Sequence, residues 1–247
     1  MGNKLTKILE IDAHGGPAAP TMGGDNHMKT PTTAGRYIIH TIEKHVSYGK
    51  YAYWSGVAWG TPLRFVNGIT EVKLNGIWQK LSSVNSSWGA YKDKEAVLTQ
   101  TINNEYQSYK AYYKNANLDR WVFNDFGHVS VKYFKDRNHD RKLNGKEFVM
   151  GDFLHATPGD EAISYFNDHS TQKINRALSE SHGCVHLRPA DIDTLIEKEY
   201  LKRGNTIEIH PYTERTVPLL LQRNDAKPFF EFHVFPGINK AVVYNVH

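Results

Sequence analysis

The sequence is poor in cysteine: Cys184 is the only one, so no disulfide bond can form within the chain. It also lacks an uninterrupted apolar run of about 18 residues, the length that a membrane-spanning helix needs. Lysine and arginine form no dense block and the formal net charge is only +4, so we expect no nucleic-acid partner. What is present is a chain of 247 residues, 40% of them hydrophobic, which is long enough to fold around a core of its own.

Strand patterns dominate this chain. Short segments rich in β-branched and aromatic residues, bounded by glycine, proline and polar residues, predict β-strands. The predicted strands are 7–12, 36–45, 55–59, 63–66, 70–74, 77–81, 129–134, 148–155, 206–210, 229–235 and 241–246. Helical spacing of apolar residues predicts helices at 93–115 and 189–203, and segment 160–177 is expected to be partly helical. The predicted fold class is therefore mainly β, with a few helices.

The segment around the single thiol carries the predicted chemistry. It reads Ser181-His182-Gly183-Cys184-Val185-His186-Leu187-Arg188. A thiol becomes a nucleophile when a base or a cation holds it as thiolate, and histidines flank this one on both sides. Gly183 lets the backbone approach a substrate closely, and consecutive amides here are candidate donors to an oxyanion. Cys184 is the predicted nucleophile.

A catalytic base has to come from another part of the chain. The best candidate is His155, which ends an apolar strand pattern and is followed by Ala156, Thr157 and Pro158. His169 lies closer to the thiol in sequence and stays as the alternative base.

Other interpretations of the thiol remain open. His182, Cys184 and His186 alternate, so a strand would place all three on one face, where His155 or His169 could complete a zinc site. Covalent catalysis without a metal or a cofactor fits Gly183 and the lone thiol better. An inert thiol in a non-enzymatic cell-wall-binding module is a further alternative. A papain-like peptidase is disfavoured, because its cysteine precedes its histidine in sequence.

The motif Ser-His-Gly-Cys-Val-x-Leu at 181–187 resembles the signature of the L,D-transpeptidase (YkuD-like) family. The segment 155–158 resembles the histidine motif that precedes it, 30–37 resembles the start of an early strand, and 189–209 resembles the closing helix and last strand. The resemblance covers about residues 5–211. The sequence departs from the family pattern in three ways: a longer spacer of 25 residues after His155, Ala156 in place of glycine, and His186 in place of arginine or asparagine.

This resemblance implies a β-sandwich or open barrel at 1–211, interrupted by a helical and strand insertion at about 46–128. A C-terminal β extension at 212–247 is expected to pack on the same domain. The aromatic segments 51–59 and 78–88 of the insertion are expected either to line its core or to cover the thiol as a lid.

The family chemistry is acyl transfer on the stem tetrapeptide of peptidoglycan. The implied catalytic residues are Cys184, His155, His182 and Gly183, and the implied substrate-binding residues are Ser181, His186, Arg188 and Thr157. An amine acceptor gives a cross-link or D-amino-acid exchange, whereas water gives L,D-carboxypeptidase activity. The sequence leaves transpeptidation, exchange and carboxypeptidation open.

The amino terminus contains Lys4 and Lys7 but no apolar segment of the kind found in secretory signals. We expect an antibacterial effector that reaches periplasmic peptidoglycan by a leaderless route, with an immunity protein as a possible partner. A cytoplasmic carboxypeptidase of muropeptide recycling and a mature chain are the alternatives.

A second motif spans 136–147 and has the spacing of a calcium-binding loop. Oxygen-bearing side chains stand at its positions 1, 3, 5, 9 and 12, namely Asp136, Asn138, Asp140, Asn144 and Glu147. Position 6 is Arg141 rather than glycine, and the flanking segments predict strands rather than helices. A polar hairpin tip without metal is therefore the favoured interpretation.

Overall fold

The computed structural model describes residues 2–49, 51–114, 116–227 and 229–247. The chain divides into two compact units. The first unit comprises Met1–Glu43, Ser130–His155 and Ala177–His247, and the second comprises Lys44–Val129 and Ala156–Arg176. Asn115, the last residue of the predicted helix 93–115, lies outside the described residues.

Strands make up 30% of the structure and helices 20%, which confirms the predicted mainly β class. In chain order the strands are β1 (Asn3–Asp12), β2 (Thr21–Met22), β3 (Met28–Lys29), β4 (Gly35–Glu43), β5 (Leu63–Val66), β6 (Ile69–Leu74), β7 (Ile77–Lys80), β8 (Ser130–Phe134), β9 (Leu154–His155), β10 (Val185–His186), β11 (Thr206–Ile209), β12 (Leu220–Arg223), β13 (Phe229–Phe235) and β14 (Lys240–Val246). The helices are α1 (Ala52–Ser55), α2 (Ser86–Gly89), α3 (Glu95–Tyr109), α4 (Pro158–Asp168) and α5 (Pro189–Glu197).

The first unit is built on a nine-stranded sheet that curls into a half-barrel. Its strand order is β10-β9-β8-β4-β11-β13-β14-β1-β12. The C-terminal strands belong to this sheet, because β13 pairs in parallel with β11 and β14 pairs antiparallel with β1. Alternate side chains of these strands form a buried cluster that includes Leu5, Phe235, Val242 and Tyr244. The two short strands β9 and β10 form one edge.

The second unit has its own small antiparallel sheet, β5-β6-β7, and the helices α1 to α4. Its core is strongly aromatic and contains the fully buried Trp88 and Trp121, with Trp54 packed against them. The aromatic segments 51–59 and 78–88 thus supply core residues of this unit. The strand predicted at 55–59 is wrong: Ser55 ends the single-turn helix α1, and 56–59 are turn or irregular. The same helix carries Trp54, whose ring packs on Trp88 and Trp121.

Three predicted elements are clearly shorter in the structure. The helix predicted at 93–115 is regular only over Glu95–Tyr109, and turns follow it at 110–114. The helix predicted at 189–203 ends at Glu197, because Glu199 adopts a positive φ of 57° and the amide of Leu201 turns back to the carbonyl of Leu195. The strand predicted at 148–155 is regular only at its end, since the amide of Phe153 points to a side chain instead of a neighbouring strand. No helix among the described residues is long and apolar enough to cross a membrane.

Candidate active site

The parallel strands β9 and β10 bring Cys184 and His155 to the same edge of the sheet. Leu154 pairs with Val185, and His155 pairs with His186. Cys184 directly precedes β10, and His186 is the last residue of that strand. The His186 ring lies against the His155 ring, with their centroids 4.9 Å apart and their planes nearly perpendicular. The thiol is partly exposed, whereas both imidazoles are buried.

The sulfur atom of Cys184 receives a hydrogen bond from the main chain. The amide of Phe153 donates to Sγ at 3.4 Å, and the carbonyl oxygen of Gly151 lies 4.0 Å from Sγ. The pairing of the strands fixes this contact, because the amide of Val185 donates to the carbonyl of Phe153 at 2.8 Å. An amide that donates to sulfur stabilises the thiolate over the thiol.

The loop before the nucleophile is held by two hydroxyl groups. Ser181 is buried; its Oγ donates to the carbonyl of Cys184 and accepts from the amide of Gly183 at 3.0 Å. Thr32 Oγ1 donates to the same Cys184 carbonyl at 3.2 Å. The Gly183 amide, which was expected to donate to the oxyanion, thus already donates to Ser181 in this structure.

Gly183 occupies a position that only glycine accepts readily. Its φ is +137°, and a Cβ atom there would lie 3.0 Å from Thr30 Oγ1 and 3.2 Å from Asp152 Oδ1. Thr30 Oγ1 donates to the carbonyl of His182 at 3.1 Å. Asp152 accepts from the amide of Thr33 at 3.0 Å. The segment 30–33, singled out only by resemblance, therefore supports the nucleophile loop.

His182 lies against a carboxylate that the sequence did not predict. Its Nε2 lies 2.9 Å from Asp25 Oδ2, on the turn that joins β2 and β3. The amide of His27 and, after it, the imidazole of His182 hold the pKa of Asp25 down to about 2. Asp25 is therefore ionised at neutral pH and orients the His182 ring.

The predicted substrate-binding residues His186 and Arg188 have partners inside the first unit. His186 Nδ1 donates to the carbonyl of Ser179 at 2.7 Å, which fixes its tautomer. Arg188, the N-cap of α5, pairs with Asp12 on β1 at 2.7 Å, and Lys240 pairs with the other oxygen of that carboxylate at 2.8 Å. In this structure Arg188 ties α5 to the sheet.

Thr157 and His169 belong to the second unit, where both lie at the ends of α4. Thr157 is its N-cap, and Thr157 Oγ1 accepts from the amide of Asp160 at 3.2 Å. His169 follows the last turn; its Nδ1 donates to the carbonyl of Tyr165 at 2.8 Å and its ring stacks on that tyrosine.

Tyr133 is a buried residue whose pKa is affected by the charge of Cys184, and sequence reasoning did not select it. It lies on β8 and is fully buried, and its hydroxyl has no hydrogen-bond partner among the described residues. Burial raises its pKa well above the ordinary value, and the charges of Asp152 and Cys184 raise it further. Tyr133 therefore stays a neutral phenol. Its only sequence signal was a strand pattern.

Two groups of three metal-binding side chains occur among the described residues, and neither contains Cys184. One lies in the loop 136–147, where oxygen atoms of Asp136, Asp140 and Glu147 come within 4.8 Å of one another. Asp136 Oδ1 is buried there without a hydrogen-bond partner among the described residues. The loop is also a hairpin tip, because Val149 bridges back to Phe134.

Asn138 and Asn144 of the same loop hydrogen-bond to each other at 3.1 Å, through side-chain atoms. Arg141 at position 6 adopts the positive φ of 61° that glycine usually supplies in such loops, and its guanidinium anchors the loop to Gly204 and Thr206.

Comparisons of the chain with protein-family models, with curated proteins and with solved structures found no match.

Proposed function

We propose that this protein is a cysteine acyltransferase of the L,D-transpeptidase type that acts on peptidoglycan stem peptides. The observation that carries the proposal is the position of Cys184 Sγ, which accepts the Phe153 amide at 3.4 Å beside the strand that ends in His155. Thiol-dependent acyl transfer requires a nucleophile and a base, here on paired strands, and the main-chain donor to the sulfur favours the thiolate.

The proposed reaction has two steps. His155 takes the proton of Cys184, and the thiolate attacks the carbonyl carbon that joins an L-centre to a D-centre of the stem. The C–N bond breaks, the leaving amine takes the proton from the imidazolium, and a thioester remains. An incoming amine then attacks the thioester and gives its proton to His155, and the new amide forms as the thiolate leaves. Water in place of the amine yields the free acid.

His155 is preferred to His169 as the base. His155 lies on β9, directly paired with β10, whereas His169 is bound to the carbonyl of Tyr165 at the end of α4. Contact with the His186 ring restricts how the His155 ring can turn. A base whose orientation is fixed in this way needs little reorganisation during proton transfer.

The proposal is tested with a purified disaccharide-tetrapeptide, incubated with and without a D-amino acid and followed by mass spectrometry. We expect loss of the terminal D-Ala, its exchange, or a dimer linked between two third residues. Cys184→Ala and Cys184→Ser should lower the rate by orders of magnitude, because the chain has no other thiol. Circular dichroism of both variants checks that the fold persists.

Three results would contradict the proposal. Activity of the Cys184 variants within about tenfold of the parent would remove the assigned nucleophile. Release of glycan fragments, or cleavage only of the D-Ala–D-Ala bond of a pentapeptide, would show a different reaction. Retention of the chain on peptidoglycan without any thioester would favour a binding module.

A further inference from the structure

A buried row of histidine and glutamate side chains crosses the middle of the nine-stranded sheet. Glu208 lies on β11 and His210 directly follows it, while Glu231 and His233 lie on β13. The parallel register places Glu208 opposite His233. The two imidazoles are at most 2% exposed. The sequence signal is a repeated Glu-x-His in two strands, which puts each pair on one face.

Carboxylates fix the tautomer of both rings. His210 Nδ1 lies 2.7 Å from Glu214 Oε2, and His233 Nε2 lies 3.0 Å from Glu231 Oε2. A carboxylate only accepts hydrogen bonds, so both of these ring nitrogens carry the proton. The other two ring nitrogens, His210 Nε2 and His233 Nδ1, then face each other at 2.9 Å. In neutral rings both present a lone pair, so the contact needs a shared cation.

A third donor atom completes the group. Glu208 Oε2 lies 3.8 Å from His233 Nδ1, and the donor atoms of Glu208, His210 and His233 are all within 4.8 Å of one another. Arg223 and Arg36 hold the Glu208 carboxylate in this position. Two nitrogens 2.9 Å apart can both bind one metal ion at about 2.0–2.1 Å with a near right angle between the bonds.

We propose that Glu208, His210 and His233 form a binding site for a divalent transition metal ion of the Zn²⁺ type, with Glu214 and Glu231 as the carboxylates that orient the two imidazoles. Imidazole and carboxylate donors suit this class of ion, and histidine ligands commonly donate their second N–H to a carboxylate. A proton is the competing cation.

The two arginines nearby, Arg36 and Arg223, both pair with carboxylates. Arg36 is shared between Glu208, Glu231 and Asp225, so its charge is spread over three carboxylates. The bound ion would join β11 to β13 and so fasten the C-terminal strands to the rest of the sheet. This site is separate from Cys184 and does not depend on acyl transfer.

The test uses the full chain carrying Cys184→Ala, so that the thiol cannot bind metal. The chain is stripped with a chelator, millimolar Ca²⁺ is added to occupy oxygen-ligand sites, and Zn²⁺ or Co²⁺ is titrated at micromolar concentration near neutral pH. We expect one Zn²⁺ per chain, a higher melting temperature, and visible d–d absorption with Co²⁺. Removal of a ligand by His210→Gln or His233→Gln should abolish all three.

Glu214→Gln is the decisive variant, because Glu214 is 46% exposed and its replacement leaves the ligands in place. It should weaken Zn²⁺ affinity by about 10- to 100-fold, the usual effect of losing such an orienting carboxylate. His169→Gln, at an exposed histidine outside the group, is the matched control and should bind as tightly as the parent. If His210→Gln and His233→Gln fail to fold, the Zn²⁺ affinities of Glu214→Gln and His169→Gln still test the proposal.

The proposal is overturned if the parent takes up no Zn²⁺, or if His210→Gln and Glu214→Gln bind it as tightly as the parent. Nitrogen NMR that shows a doubly protonated imidazole at neutral pH in the presence of Zn²⁺ would identify a shared proton instead. Neither outcome bears on the acyl-transfer proposal, since the Cys184→Ala chain is inactive under that proposal.

Discussion

His155 and His186 face each other across the parallel strands β9 and β10, with ring centroids 4.9 Å apart. Each ring therefore limits the rotation of the other. His186 is in turn fixed by the carbonyl of Ser179 at 2.7 Å. The paired histidines thus hold the His155 imidazole in a restricted orientation beside the strand that Cys184 directly precedes.

The first prediction concerns the choice of base. His155→Ala should slow acylation of Cys184 by about 100-fold or more, since general-base catalysis contributes about that much. His169→Ala should acylate at nearly the parental rate. Single-turnover formation of the thioester, followed by intact-protein mass spectrometry, measures both. Normal acylation in His155→Ala together with a dead His169→Ala would reverse the assignment.

The second prediction concerns the hydroxyl that supports the nucleophile loop. Thr32 Oγ1 donates to the Cys184 carbonyl and accepts from the amide of Gly16. Thr32→Val keeps the shape of the side chain but removes this hydrogen-bond partner from the Gly16 amide and the Cys184 carbonyl. The free energy of unfolding should therefore fall by about 1–3 kcal/mol. Acylation should slow as the loop loosens. Urea unfolding and thiol-labelling rates measure the two effects.

Thr33→Val is the matched control for this experiment, because Thr33 is exposed and uses its amide, rather than its hydroxyl, to bind Asp152. If Thr32→Val and Thr33→Val have the same free energy of unfolding and the same thiol-labelling rate, the Thr32 hydroxyl does not hold the loop.

The third prediction follows from a carboxyl group in the second unit. Burial, together with the charge of Glu105, raises the pKa of Asp125 to about 6, although Ser55 donates to it at 2.9 Å. A raised carboxyl pKa stabilises the fold at low pH, and this contribution is lost as the pH rises through about 6. Asp125→Asn should therefore gain stability relative to the parent as pH increases, by at most about 3 kcal/mol.

This gain is measured by urea unfolding of Asp125→Asn and of the parent at several pH values. The values run from the ordinary aspartate pKa of 3.8 through the raised pKa of about 6 and above it. Asp119→Asn serves as the control, because Asp119 is exposed and the hydrogen bond from Arg120 lowers its pKa. A constant difference between Asp125→Asn and the parent at all pH values would show that Asp125 titrates normally.

The fourth prediction concerns calcium and the loop 136–147. The ordered spacing of oxygen donors and their convergence within 4.8 Å predict weak Ca²⁺ binding, so millimolar Ca²⁺ should raise the melting temperature. Glu147→Gln should remove most of this shift, since the last position normally supplies two oxygens. Asp168→Asn, at an exposed carboxylate outside the loop, should keep it. No shift in the parent chain would leave the loop as a plain hairpin tip.

The sequence predicted local features well where one signal dominated. The strands at 63–66 and 229–235 have the predicted limits, because alternation and turn residues bound them on both sides. Strand 55–59 failed, because a cluster of aromatic residues satisfies strand and helix patterns alike and only the packing of Trp54 on Trp88 decides. At the site, the motif at 181–188 identified the thiol and its loop. His155 was identified because it ends a predicted strand.

What the sequence determined by itself was the mainly β class, the single thiol and the glycine beside it, since composition, periodicity and a short motif are local properties. Contacts between distant segments were decided only by tertiary structure. Asp25 meets His182, Thr32 meets Cys184, and His210 meets His233 because the order of the strands brings these segments together. Strand order depends on how much apolar surface the whole sheet buries, and no single segment of the sequence determines that total.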